Sequence, residues 1–238
     1  MQKIQLTLTL LMLLIFIGCG STETTTITNN TQQQEEKTDY KSQFINDVNC
    51  NQIIDKEFLT ICYDYKLKGA KSVAYTLDGD LMADGIKKRP SFYKEPTLEK
   101  KYQIVTTDYT NSGYDRGHLA PDASFDWSQE SLDAIYSLAN IIPQAPQVNR
   151  NMWVKVEDYA RDKAMELGTI DVINVIKYST NHKTIGKNKM AVSRGFYKVL
   201  YNNDENYKEC FYYTNRLNTS SRGDTIDKHR VNCDEVGY

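Results

Sequence analysis

The sequence predicts an α+β fold, and three observations support this. Segments with strand and helix patterns occur in mixed order, without the regular β–α–β rhythm of a parallel sheet. No internal repeat is present. Tyrosine accounts for 17 of the 238 residues, which favours aromatic-rich strands, and 40% of the residues are hydrophobic, enough for a sizeable core.

Strand patterns occur in three regions. Residues 58–81 alternate apolar and polar side chains, and turn signals at Gly69 and at Asp78-Gly79 predict an antiparallel hairpin or meander. Residues 170–176 and 189–201 predict further strands.

Helix patterns follow Ser128 and Asn151. Ser128 is a plausible N-cap for residues 129–139, with Ser131 where a capping box usually has Glu. Residues 152–167 carry an apolar stripe at helical spacing, for which Asn149 or Asn151 is the candidate cap and Gly168 the end. That stripe consists of Met152, Trp153, Val156, Tyr159, Ala160 and Ala164.

The N-terminus has the pattern of a bacterial export signal over residues 1–19. One Lys precedes an apolar run, Leu6 to Ile17, that is too short to span a bilayer. Ile-Gly-Cys at its end resembles a lipobox, in which Cys19 is acylated and becomes the mature N-terminus; ordinary signal cleavage is the alternative. We therefore expect a protein of the bacterial cell envelope, attached to a membrane by lipid.

Residues 20–45 are rich in Ser, Thr, Asn and Gln and predict a flexible tether, because such a segment buries too little surface to offset its ordering entropy. The folded domain is then expected to span residues 46–238. Four cysteines follow Cys19, and in an oxidising compartment an even number predicts two disulfides. Three pairings are possible, and proximity favours Cys50–Cys62 and Cys210–Cys233.

The net charge of −2 gives no global field that would attract a polyanion. Basic residues are nevertheless clustered locally, so a local basic patch remains compatible with the sequence. These residues are Lys87, Lys88, Arg89, Lys100, Lys101, Arg116, Arg150 and Arg161.

Residues 112–121, SGYDRGHLAP, contain His118, one of only three histidines in the chain. Gly117 is expected to provide backbone freedom beside the imidazole, and Pro121 fixes φ just beyond it. A lone histidine is more often structural than catalytic, so this motif needs support from elsewhere in the chain.

That support comes from residues 140–161. The segment 140–151, NIIPQAPQVNRN, is predicted to be a polar loop that precedes the second helix. On this helix Glu157 and Arg161 are four residues apart and therefore share a side. Alone, such a pair is usually a solvated surface pair, and loop asparagines are mostly turn formers. The combination with DRGH is much more specific.

YDRGHLAP followed by LANIIPQAPQVNRNMWVKVEDYARD resembles the DNA/RNA non-specific endonuclease family, which has a ββα-metal (His-Me finger) site. KKRPSFYKEP resembles the family segment that supplies an arginine, here Arg89, and MAVSRGFYKVLY resembles a family strand. The resemblance extends more loosely from Cys50 to Tyr201. It implies a central antiparallel sheet flanked by helices and Mg²⁺-dependent cleavage of DNA and RNA, with Mn²⁺ as a possible substitute.

The resemblance also implies residue roles that suit the chemistry. His118 is expected to act as general base, and Asn149 as a neutral oxygen ligand of the metal. Glu157 would orient a metal-bound water, and Asp115 is expected to be structural rather than a ligand. Arg89, Arg116 and Arg161 are expected to clamp phosphate oxygens. Asn140 and Gln144 would position the loop or contact phosphate.

The chain departs from the family pattern at three places. Ser193 replaces a usual proline, Asn174-Val175 stands where Gly-Pro is common, and residues 150–152 replace a more usual Gln-Gly-Pro. Two alternatives to an enzyme are an envelope lipoprotein that binds nucleic acid with weak or lost cleavage, and a structural envelope lipoprotein. The presence of His118, Asn149, Glu157 and Arg116 together favours the enzyme.

Overall fold

A computed structural model describes residues 39–82 and 85–238. The predicted export signal, the lipidation residue Cys19 and tether residues 20–38 lie outside the described residues. Within them, no helix combines the length and the apolar composition that crossing a membrane requires.

The fold is built on a seven-stranded sheet in the order β1-β2-β3-β6-β9-β10-β11, in which every neighbouring pair is antiparallel. Two smaller antiparallel pairs, β4–β5 and β7–β8, lie outside this sheet. The large sheet is formed by β1 (Gln52–Asp55), β2 (Thr60–Asp64), β3 (Gly69–Asp78), β6 (Thr169–Lys177), β9 (Gly195–Asn202), β10 (Tyr207–Thr214) and β11 (Arg230–Val231). The smaller pairs are β4 (Asp115–His118), β5 (Ile141–Gln144), β7 (Thr184–Ile185) and β8 (Met190–Ala191).

Helices are few. They are α1 (Tyr40–Phe44), α2 (Gln129–Ile135) and α3 (Val154–Leu167), with a π-helical turn, Val148–Trp153, directly before α3. Single 3₁₀ turns are Gly79–Leu81, Thr106–Tyr109, Asp122–Ser124, Leu138–Asn140, Ile226–His229 and Cys233–Glu235. The predicted α+β class is confirmed.

The antiparallel meander predicted for residues 58–81 is present as β2 and β3, with Ile61 opposite Val73. Both faces of the large sheet are covered. Along β6, Val172 belongs to the main core, whereas the next residue, Ile173, belongs to a second core on the opposite face. This alternation is the two-residue period of a strand.

The second core corrects the predicted domain boundary. Residues 40–45 were expected to be tether, but Tyr40 and Phe44 on α1 are only 7% and 3% exposed. Their rings pack against Tyr201 and Tyr238 at centroid distances of 5.3 and 5.6 Å. Two aromatic side chains on one short helix bury enough apolar surface to order it, despite the polar residues before it.

Both predicted disulfides, Cys50–Cys62 and Cys210–Cys233, are present. Each joins a strand of the large sheet to a segment near one end of the folded part. The first closes a separation of 12 residues and the second one of 23.

Three predictions about local structure need correction. Residues 141–144 form the buried strand β5 rather than part of a polar loop. The predicted strand 189–201 is divided, because residues 192–194 separate β8 from β9. Neither Asn149 nor Asn151 caps α3, since both lie inside the π-helical turn that runs into it. The predicted end at Gly168 is correct, and its φ of 83° is one that glycine adopts without strain.

Candidate active site

The histidine motif and the second helix come together as two strands followed by a helix. In the β4–β5 pair, His118 lies opposite Ile141 and Asp115 opposite Gln144. The chain then passes from β5 through the π-helical turn into α3. Val156, Ala160 and Ala164 bury one side of α3 in the main core, which fixes the helix beside the strand pair.

Gly117 is required for a reason that differs from the predicted one. A Cβ atom at this position would lie 1.9 Å from Oε1 and 2.4 Å from Cδ of Gln144. Gln144 is fully buried, so its side chain has no free space to enter. The glycine is therefore needed for close approach between β4 and β5 rather than for backbone freedom.

His118 lies in a partly buried aromatic setting. Its ring centroid is 5.4 Å from that of Phe92 and 5.0 Å from that of Tyr136, and these two rings stack on each other at 4.8 Å. Nε2 of His118 is enclosed and has no hydrogen-bond partner among the described residues. Burial, together with the charges of Arg116 and Arg89, lowers the pKa of His118 from 6.5 to about 4. The imidazole is therefore neutral at physiological pH and able to accept a proton.

The two arginines near His118 differ in their partners. Arg116 is exposed, and its guanidinium lies 4.9 Å from the centre of the Phe92 ring without a carboxylate partner in the described part of the chain. Arg89 instead contacts Asp122 at 2.6 Å and Asp126 at 3.0 Å. Of this pair, Arg116 is the one open to a phosphate. Arg89 is already ion-paired, which was not expected of a phosphate clamp, and acts on His118 through its charge.

Asn149 lies in the π-helical turn, where its backbone N–H donates to the carbonyl of Ala145 at 2.9 Å. Its side-chain Nδ2 donates to Oδ2 of Asp115 at 3.2 Å, which links the helix to the histidine strand. With Nδ2 engaged in this way, Oδ1 receives no hydrogen bond from the described residues and is available as a ligand.

These residues fit a weakly held, water-rich divalent cation. An amide oxygen is a hard ligand, and Mg²⁺ keeps most of its waters and needs few protein ligands. Among the described residues, no three His, Cys, Asp or Glu side chains are grouped as they would be in a fully protein-made metal cage. Asn149 is therefore the candidate direct ligand, and Glu157 is the nearby carboxylate on α3.

Glu157 and Arg161 lie one turn apart on α3, near the buried ammonium group of Lys198. Burial raises the pKa of Glu157, and the charges of Lys198 and Arg161 oppose this rise. Arg161 also pairs with Asp158. Lys198 on β9 is fully buried; its Nζ donates to the Tyr75 hydroxyl at 3.0 Å and lies 4.6 Å from the centre of the Trp153 ring. The site thus contains a partly buried carboxylate, a partly buried arginine and a fully buried lysine.

Asn140 and Gln144, which were expected in a polar loop, are both fully buried. Asn140 accepts from the Ala120 N–H at 2.9 Å and donates to the carbonyls of Ala120 and Ile135. These contacts make it a positioning residue and leave none of its polar atoms for substrate. Both amide atoms of Gln144 are buried without a partner in the described part, next to Gly117. Neither residue lies where it would meet phosphate in this structure.

The sequence did not indicate which residues hold the backbone next to His118 in place. The carbonyl of Leu119, the next residue, accepts from Nδ2 of Asn174 at 2.7 Å and from the Tyr75 hydroxyl at 3.4 Å. Asn174 is one of the departures from the family pattern. A detectable signal existed for Lys198, because it shares the strand register of the buried residues Phe196 and Leu200.

Asn215 is a second supporting residue that the sequence did not reveal. Its Oδ1 accepts from the Ala145 N–H at 2.7 Å, and its Nδ2 donates to the Pro143 carbonyl at 2.8 Å. Nδ2 also reaches the carbonyl and hydroxyl of Ser193, both at 3.2 Å, at the position where the family usually has proline. Asn215 therefore joins the end of β5 to the segment before β9.

Comparison with known proteins places the chain in a family. The profile of the DNA/RNA non-specific endonuclease family matches residues 26–237. Mitochondrial endonuclease G of Homo sapiens is 32% identical over 160 residues, which is 63% of this chain and 54% of that protein. A nuclease of Nostoc sp. is 33% identical over 113 residues, covering 47% of this chain and 41% of the other. The chain thus spans about half the length of the curated relatives that it matches.

A solved structure is similar in fold. The crystal structure of the EndoG/EndoGI complex matches with a TM-score of 0.70 and 22% identity, covering 76% of this chain and 80% of that one. The family profile covers most of the chain, including the β4–β5 pair and α3. This protein is therefore a member of the DNA/RNA non-specific endonuclease family.

Proposed function

We propose that the protein is an exported endonuclease that hydrolyses phosphodiester bonds in both DNA and RNA with Mg²⁺, or with Mn²⁺ in its place. One observation carries the proposal: Asp115 on the DRGH strand accepts a hydrogen bond from Asn149, at 3.2 Å. This contact brings the candidate base strand and the candidate metal-ligand helix into one site, although 34 residues separate the two side chains in the chain.

His118 takes a proton from the attacking water, and Nδ1 is the ring nitrogen assigned to this step, since Nε2 is enclosed by protein without a partner among the described residues. The lowered pKa of this histidine supports the role, since the ring is uncharged before the reaction. Tyr136 and Phe92 hold the ring from its sides. Tyr136 is itself fixed by its hydroxyl, which donates to Asp122 at 2.5 Å.

The phosphate is recognised by charge rather than by base edges. Arg116 is exposed and binds non-bridging phosphate oxygens, while Arg161 and Lys198 add positive potential below the site. Oδ1 of Asn149 would hold a divalent cation, which would supply charge neutralisation for the scissile phosphate and the leaving oxygen. Glu157 would orient a water bound to that cation. Contacts to the backbone of the nucleic acid carry no sequence information, which is consistent with cleavage of both DNA and RNA.

The test is digestion of plasmid DNA and total RNA by the purified protein with Mg²⁺, with Mn²⁺ and with EDTA. We expect both substrates to be cut only with metal, and His118→Ala to lose about two to four orders of magnitude in turnover. Asn149→Ala should instead weaken metal binding, and added Mg²⁺ should restore part of its rate. Intact plasmid and RNA at every metal concentration would reject the proposal.

The cellular location is a separate part of the proposal. An export signal over residues 1–19 and lipidation of Cys19 would attach the enzyme to a membrane of the cell envelope, and the two disulfides support an oxidising compartment. Cys19→Ser should release the full-length product from the membrane fraction. An identical distribution of variant and wild type would contradict the lipid anchor.

A further inference from the structure

Asp115 lies between two side chains of the π-helical turn, Arg150 and Asn149. Arg150 donates from Nε to Oδ2 and from Nη2 to Oδ1, both at 2.7 Å. Asn149 donates from Nδ2 to the same Oδ2 at 3.2 Å. Both carboxylate oxygens of Asp115 are therefore occupied. The Asp115 side chain is only 17% exposed, whereas that of Arg150 is 66% exposed.

A carboxylate in this position is a potential competitor for the metal. Asp115 lies within hydrogen-bond distance of the amide whose oxygen is the candidate ligand, and carboxylate oxygens are ligands that Mg²⁺ and Mn²⁺ prefer. A second protein ligand would replace a water of the cation. The two-pronged contact from Arg150 is the strongest geometry by which a side chain holds a carboxylate, and lysine cannot reproduce it.

We propose that Arg150 keeps Asp115 out of the ligand set of the metal, so that Asn149 remains the sole protein ligand and the cation keeps its waters. The inference rests on the proposed function. Arg150 is a positioning residue, since it acts through Asp115. This chain has Arg150 within a segment that departs from the usual family pattern, so the arrangement is a property of this sequence.

Replacing Arg150 should raise the affinity for Mn²⁺ and lower the turnover. Arg150→Gln releases Asp115 and removes one positive charge near the cation, and Mn²⁺ should then bind about tenfold more tightly. Turnover at saturating Mn²⁺ should fall by about tenfold, because a water needed for the reaction is replaced by a carboxylate. Loss of folding cannot produce this pattern, since an unfolded site does not bind Mn²⁺ more tightly.

The experiment measures Mn²⁺ affinity by electron paramagnetic resonance, and the number of bound waters by electron spin echo in D₂O. It compares the wild type with Arg150→Gln, Arg150→Lys, Asp115→Asn and the double variant Arg150→Gln/Asp115→Asn. We expect one water fewer in Arg150→Gln, an intermediate affinity in Arg150→Lys, and a much smaller tightening by Arg150→Gln when residue 115 is Asn, because only the loss of the positive charge then remains. This double-mutant cycle isolates the coupling of Arg150 and Asp115.

Arg230→Gln is the matched control. Arg230 is also an ion-paired arginine, with Glu209 at 2.6 Å and Asp227 at 2.9 Å, but it lies on the edge strand β11. Its replacement removes the same charge and should leave Mn²⁺ affinity and water number unchanged.

The inference is overturned if Arg150→Gln binds Mn²⁺ equally or more weakly, if its water number is unchanged, or if the tightening is equally large with Asn at 115. Each of these results leaves the proposed function intact, provided that the wild type binds Mn²⁺ and cuts nucleic acid. A wild type that does neither would instead reject the proposed function itself.

Discussion

Gly117 shows at the residue scale why the DRGH motif contains a glycine. The space that a Cβ would occupy is filled by the side chain of Gln144, whose Oε1 lies 1.9 Å from the ideal Cβ position. Gly117→Ala should therefore push β4 away from β5 and displace His118. We expect a loss of about 1–3 kcal/mol in the free energy of unfolding and about 10²-fold in turnover, measured by melts and plasmid cleavage.

A second variant distinguishes this clash from a general effect of alanine in the strand. Gln144→Ala removes the two atoms closest to the added methyl group, Oε1 and Cδ. The double variant Gly117→Ala/Gln144→Ala should thus recover part of the stability and turnover that Gly117→Ala loses. A fully stable and active Gly117→Ala protein would show that the two strands have room to separate.

His118 makes the stability of the fold depend on pH. Its pKa is lowered to about 4 in the folded protein, below the value of 6.5 for an unperturbed histidine. Between these pH values the unfolded chain therefore binds more protons than the folded protein. The contribution of His118 to the free energy of unfolding is complete above pH 6.5 and is lost as the pH falls towards 4. His118→Asn removes this dependence. Relative to that variant, we expect the wild type to lose about 2 kcal/mol between pH 7.5 and pH 5.

The comparison is made in EDTA, so that no metal binding contributes to the unfolding curves. Chemical denaturation at several pH values gives the free energies directly. If wild type and His118→Asn lose stability in parallel as the pH falls, then the folded protein does not keep His118 neutral.

At the scale of elements, the connection from β5 to α3 depends on a residue far along the chain. Asn215 forms hydrogen bonds with the Pro143 carbonyl and the Ala145 N–H. The carbonyl of Ala145 in turn accepts from the backbone N–H of Asn149. Asn215→Ala should therefore loosen the turn that presents the candidate metal ligand. We expect a loss of about 1–3 kcal/mol in stability, together with weaker Mn²⁺ binding and lower turnover.

Asn202 provides a matched control. Like Asn215, it is a buried asparagine. Its Nδ2 donates to the Thr169 carbonyl at the start of β6, and its Oδ1 accepts from the N–H groups of Asp204 and Glu205 in the β9–β10 turn. Asn202→Ala should lower stability similarly without changing Mn²⁺ affinity. If both variants change Mn²⁺ affinity equally, Asn215 has no specific role at the site.

Elements were predictable from sequence where their patterns are local. The meander of β2 and β3 and the end of α3 at Gly168 follow from alternation and from one glycine. The strand β5 was interpreted as polar loop because Pro143 and the amide residues near it resemble loop residues. Burial against β4 and the main core decided otherwise, since all four residues of β5 are buried. The short helix α1 was missed because its two buried aromatic residues follow a long polar segment.

At the scale of the whole molecule, two disulfides restrict the ends of the folded part. The chain-entropy description predicts that the longer loop stabilises more, and the separations of 12 and 23 residues imply a difference of about 0.5 kcal/mol. Paired Cys→Ser variants at 210 and 233 should therefore unfold at slightly lower denaturant concentration than those at 50 and 62. The opposite order would show that native-state strain or residual structure outweighs loop closure.

The sequence by itself predicted the α+β class, indicated the family by resemblance, favoured the disulfide pairing among three possible ones, and supplied the residues proposed for the chemistry. These depend on local spacing, such as the DRGH motif, or on a few cysteines with few possible pairings. The tertiary structure alone decided that Arg89 is ion-paired, that Asn140 is a positioning residue, and that Arg150 holds Asp115. It also decided that Lys198 and Asn174, on β9 and β6, and Asn215, just after β10, support the site. The physical reason is that side-chain partners are set by packing between segments 20 to more than 100 residues apart, and no local pattern records which donor meets which acceptor.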